Sequence, residues 1–119
     1  MSSHIHLFEP GAKVTCEVTA DVTGGRLVEI TGARKVAHAQ ADSVKVFGAA
    51  ATDTKSGGDV LVLRGGVQKL VASAAIVAGA RVKAAAGGKV VTVGAGEAGI
   101  GLAISAATAA EQLIQIALD

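Results

Sequence analysis

The segment that most restricts the fold spans residues 44–71, VKVFGAAATDTKSGGDVLVLRGGVQKLV. Val44-Lys45-Val46-Phe47 and Val60-Leu61-Val62-Leu63 place β-branched residues at a two-residue period. Strand side chains alternate between two faces, so such runs form strands with one face turned inward. The polar loop between them, from Asp53 to Gly58, closes on Lys-Ser-Gly-Gly and reverses the chain. Arg64-Gly65-Gly66 then makes a second turn, and a third run leads from Val67 to Val71. The spacing predicts a β-meander across 44–71.

The same grammar extends to both ends. Val14, Cys16 and Val18 alternate with Thr15, Glu17 and Thr19, a half-buried strand. Residues 26–31 and 34–39 read as two more strands around Gly32-Ala33, after a turn at 21–25. Residues 73–79 are alanine-rich and read as a loop with one helical turn at most. Residues 80–84 and 89–93 are strands joined by Ala86-Gly87-Gly88, a hairpin signal. After the glycine-rich 94–99, residues 100–105 and 113–118 give the last strands; a single helix over 103–118 is the competing reading, and the strand is preferred. There is also an internal echo. Gly48-Ala49-Ala50 leads through a polar loop to Val60-Leu61-Val62-Leu63, and Gly101-Leu102-Ala103 leads to Leu113-Ile114-Gln115-Ile116. About nine short strands with regular turn signals imply a mainly β protein, a small barrel or sandwich with at most one short helical segment. The expected organisation is an N-terminal arm, residues 1–10, followed by a single β domain, 11–119.

Such a core must be made of small side chains. The 119 residues include 25 alanines, 16 valines and 16 glycines, but only two Phe and neither Tyr nor Trp. Each buried alanine removes little area from water, while each glycine loses much backbone freedom on folding. Contacts between subunits are expected to supply the missing burial, as a homo-oligomer.

The same composition argues against several functions. A net charge of +1, without charge runs, does not suit a polyphosphate partner, and a chain without Tyr or Trp lacks the usual stacking platforms for single-stranded nucleic acid. No apolar run approaches the roughly 20 residues of a membrane span, and no basic-then-apolar leader opens the sequence. The expectation is a soluble protein made in a cytoplasm, without direct nucleic-acid or membrane partners. Cys16 reads as a small buried hydrophobe rather than a reactive thiol. His4 and His6 share one side of an extended segment, but two terminal imidazoles without further ligands do not make a metal site. His38 stands alone, and no serine, histidine and acid are spaced as a triad. Gly94-Ala95-Gly96-Glu97-Ala98-Gly99 fits GxGxxG after a strand, yet it lies too near the end to open a βαβ unit. No Walker sequence is present. A lipoyl or biotinyl carrier would display its lysine at a hairpin tip, whereas Lys69 and Lys83 fall inside expected strands. No enzyme, metal or cofactor is expected.

One resemblance covers residues 9–119. It is carried by Gly48-Xaa-Ala50, Gly57-Gly58, Val60-Xaa-Val62, Gly66-Val67, Ala75-Ile76-Xaa-Xaa-Gly79-Xaa-Xaa-Val82, Gly88-Xaa-Val90, Ile100-Gly101-Xaa-Ala103 and the closing Leu113-Ile114-Gln115-Ile116-Ala117-Leu118. In this order the elements resemble the capsid cement, or head-decoration, proteins of phages and prophages. That family usually has a glycine-rich connection before its last strand, where this chain has 106–111. The resemblance implies a viral structural protein located on the virion. It would decorate and stabilise the outer surface of the head, bound to the major capsid protein and commonly trimeric. The alternative is a non-enzymatic β-barrel binding or carrier module. The apolar arm Ile5, His6, Leu7 and Phe8 is the expected subunit or capsid contact, since such a segment can add a strand to a neighbouring sheet edge.

Overall fold

The computed structural model describes residues 13–94 and 96–119. Among the described residues ten strands form in chain order: β1 (Lys13–Val18), β2 (Leu27–Gly32), β3 (Lys35–His38), β4 (Val46–Ala50), β5 (Asp59–Leu63), β6 (Val67–Val71), β7 (Arg81–Ala85), β8 (Lys89–Thr92), β9 (Gly101–Ala103) and β10 (Leu113–Leu118). The one helical element among the described residues is a three-residue 3₁₀ turn, Ala86–Gly88, inside the β7–β8 hairpin. Residues 73–79 contain no helical turn.

The first five strands close into a barrel ordered β1-β3-β2-β4-β5, with β5 pairing back onto β1 from Lys13↔Leu63 to Glu17↔Asp59. The last five form a sheet ordered β6-β10-β9-β7-β8. The segment 44–71 is therefore no meander. β4 and β5 do pair, but β6 leaves the barrel and opens the second sheet. Gly65 and Gly66 make this departure possible, because both adopt φ near +65°, which side chains with a Cβ resist.

The echo seen in the sequence marks a structural repeat, but is one residue out of register in its second part: Val60 corresponds to Ile114, not to Leu113. A shift of 54 positions takes the parallel contact Val18↔Val36 of β1 and β3 onto the parallel bridge Ala72↔Val90. The same shift takes Val14↔Val62 and Cys16↔Val60 onto Gln68↔Ile116 and Leu70↔Ile114. The Gly25 N–H donates to Ala50 O at 2.9 Å, and the Gly79 N–H to Ala103 O at 2.7 Å. Bridges Val22↔Thr54 and Ile76↔Ala107 correspond as well, with β4 and the loop after it matched to β9 and its loop at a shift of 53, one residue shorter. The second sheet is thus a copy of the barrel, closed between β6 and β8 by one bridge only.

Burial follows the alternation. Val14, Cys16, Val18, Val28, Val36, Val60 and Val62 fill the barrel. A second cluster, with Leu70, Ile76, Val82, Val90, Ile114 and Ile116, fills the other half and also takes in Leu27, Ala39 and Ala49 from the outside of the barrel. The halves fit closely: a Cβ on Gly88 would lie 2.4 Å from Leu27 O.

Candidate functional site

The expected contact residues Ile5, His6, Leu7 and Phe8 lie outside the described residues. So do His4 and His6, and Ala95 of the glycine-rich string; the remaining motifs singled out in the sequence lie among the described residues. Gly94 to Gly99 leads into β9 rather than into a helix, so it lacks the helix N-terminus that a pyrophosphate site uses. Glu97 is tied back into its own loop. It accepts the Gly94 N–H on Oε1 at 2.5 Å, and its Oε2 lies 2.7 Å from Lys83 Nζ. The Lys83 ammonium, then the Gly94 amide, hold the Glu97 carboxyl below its usual range. Lys69 and Lys83 both sit within strands, β6 and β7.

Cys16 is 2% exposed inside the barrel, and burial pushes its thiol up, away from the reactive thiolate, against a smaller opposite pull from Arg34. His38 accepts the Thr23 N–H on Nε2 at 2.8 Å. No group of three or more His, Cys, Asp or Glu side chains among the described residues could hold a metal ion. Among the described residues, no helix is long and apolar enough to cross a membrane.

Among the described residues, four open depressions measure about 240 to 360 Å³. The largest of these four lies at the loop end of the barrel between Asp21, Thr23, Asp53 and Lys55. Its acids are already engaged. Asp21 accepts the Ser56 N–H at 2.8 Å and pairs with Lys55, and Asp53 accepts the Gly24 N–H at 2.8 Å. The Ser56 amide, with Lys55 second, holds Asp21 below its usual range. Charge elsewhere serves to fasten segments. Lys83 Nζ lies 2.7 Å from Asp42 Oδ1 of the first half as well as from Glu97, and Arg81 forks onto the terminal Asp119 at 3.0 and 2.5 Å. Lys89 pairs with Glu111.

The two repeats of one fold present different side chains at their matching loop ends. The loop end of the barrel displays Asp21, Thr23, Asp53 and Lys55, whereas the matching positions of the second half display Ala75, Val77, Ala106 and Thr108, all exposed. Sequence reasoning missed this contrast, although the differing residues, Asp21 against Ala75 and Asp53 against Ala106, are visible once the two repeats are aligned.

The fold recurs in the N base of the head fibre gp8.5 of bacteriophage phi29, at a TM-score of 0.74 and 19% identity, covering 90% of this chain and 92% of that one. No curated protein matches the chain. The family model described as phage cement protein matches residues 8–118. With that match spanning both repeats, the chain belongs to the phage cement protein family, structural proteins of the phage capsid.

Proposed function

We propose that this protein acts without chemistry, decorating the outer surface of the phage head as a trimer bound to the major capsid protein. The observation that carries the reading is the family match across residues 8–118. The architecture suits the task. Two repeats with a common core make a stiff block, and a block docked across neighbouring shell subunits resists their separation under internal pressure. Ile5, Leu7 and Phe8, with His6 among them, supply an apolar segment suited to strand addition on a neighbour.

Purified expanded heads lacking the protein provide the test. Added protein is expected to co-sediment saturably and to raise the temperature at which heads release DNA. Deleting residues 1–8 is expected to lower occupancy at least tenfold. Failure of the full chain to pellet with heads would overturn the decoration reading; unchanged occupancy after the deletion would overturn the role of the arm.

A further inference from the structure

The outward side of the second sheet carries three cross-strand rows. Val71 lies opposite Leu113, Lys69 opposite Gln115, and Val67 opposite Ala117, which in turn pairs with Leu102. Ile104 extends the middle row, its N–H donating to Gln115 O at 3.0 Å. The barrel presents the same rows at matching positions, but there Glu17 faces Asp59 and Lys13 faces Leu63. Thus Glu17, Asp59 and Lys13 are replaced by Val71, Leu113 and Val67 in the second half. Leu113 is 62% exposed, Val67 56% and Ile104 46%; Val77, next to the Ile76↔Ala107 bridge at the loop end, is 71% exposed.

We propose that this face of β6, β10 and β9 is the surface through which copies of this chain associate with one another. The proposal rests on the homo-oligomer reading above and gives it a location. With Leu102 and Val77, the exposed side chains offer on the order of 500 Å² of apolar surface, as large as the largest patch on ordinary monomers. Each partner in a stable complex contributes about 800 Å², so the patch with its surrounding residues is of the right size. Its make-up fits a permanent contact, whose core is apolar and depleted in charge. The one charged residue of the three rows, Lys69, lies on the edge strand β6, where a long side chain reaches water at the rim. A second copy also fits better than the shell does. The chain is present at its own concentration from synthesis onward, so self-association covers the face at once. A shell contact would leave it bare until heads were available, and bare apolar strands aggregate.

The test replaces residues of this face with those that the barrel carries at the matching positions: Leu113→Asp alone, and V67K/V71E/L113D together. These residues are compatible with the strand geometry, because the first half folds with them. Sedimentation equilibrium of the full chain is expected to give a multiple of 11.6 kDa. Both variants are expected to shift toward that single mass, with association weakened at least 100-fold and the β-type circular dichroism unchanged. Wild-type protein that is oligomeric, with variants keeping its mass, would overturn this face while leaving the oligomer intact. Loss of head binding in such variants would assign the face to the shell. Wild type at 11.6 kDa would overturn the oligomer itself and this face with it.

Discussion

Among the described residues, three that are not glycine hold left-handed backbone conformations: Arg34 (φ 53°), Asp42 (φ 59°) and Glu111 (φ 69°). The repeat explains their positions. Each has a left-handed glycine at the matching place in the other half, Gly88, Gly96 and Gly57 respectively. The bend is demanded by the fold, and one copy meets it with glycine while the other meets it with a side chain that finds an anchor. Arg34 donates to Thr15 O at 2.6 Å, Asp42 pairs with Lys83, and Glu111 pairs with Lys89. Glu111→Gly removes the backbone strain and the ion pair together, and the pair is exposed and screened by salt. Its melting temperature is expected to exceed that of wild type by about 3 °C in 1 M NaCl, with a smaller gain at low ionic strength. A thermal scan at the two salt concentrations checks this. His38 gives a second prediction. Burial, and then the Arg26 charge, lower its pKa from the ordinary 6.5, and the Thr23 N–H needs the unprotonated Nε2. The unfolded chain therefore takes up the proton more readily than the folded one. The stability contribution is complete above the unfolded value and is lost as pH falls through the folded one. The melting temperature is expected to decline from about pH 7.5 to pH 5.5, and His38→Gln is expected to flatten that slope.

At the scale of strands, Gly48 and Gly101 occupy matching places in β4 and β9, and each lets two backbones approach. A Cβ at 48 would meet Leu63 O at 2.5 Å and Val62 Cγ1 at 2.8 Å; at 101 it would meet Ala117 O and Ile116 Cγ2, both at 2.8 Å. Backbone cannot swing aside as a side chain tip can, so Gly48→Ala and Gly101→Ala are each expected to cost about 3 kcal/mol. Gly57→Ala meets nothing within 4 Å but must hold φ at +87°, for a cost of about 1 kcal/mol. Urea titrations of the three variants would show the order, and a Gly57 variant as unstable as the Gly48 one would contradict it. These strands were legible because Val14, Cys16, Val18 and Val60, Val62 keep the two-residue period of a half-buried strand. Their assignment to two sheets was not. It depends on β6 pairing with β10, some 40 residues away, and on the parallel approach of β1 to β3, neither of which leaves a local trace. Nor did sequence distinguish the outward apolar row from a buried one, since Leu113 and Ile114 are equally apolar and only the sheet assigns their sides.

For the whole molecule, the question is whether two repeats make one folding unit or two. Leu27 decides it. It belongs to β2 of the barrel, yet it is fully buried in the cluster of the other half, with Leu70, Val82 and Ile116. Asp42 N–H donating to Ala84 O at 3.0 Å and Gly88 N–H donating to Ala39 O at 2.9 Å reinforce the same junction. A core of small side chains has little burial to spare, so neither half can give up the area that the other covers. Unfolding of the subunit is therefore expected to be a single cooperative transition. Leu27→Ala leaves a cavity at the junction and should cost about 3 kcal/mol. Because Trp and Tyr are missing as optical reporters, amide exchange read by mass spectrometry is the suitable probe. In a shared unit, the slowest amides of β1 and β5 should lose as much protection as those of β6 and β10 when Leu27 is truncated. If only the second half lost protection, the repeats would be independent domains, and a shell decorated with them would be held by two hinged bodies instead of one stiff block.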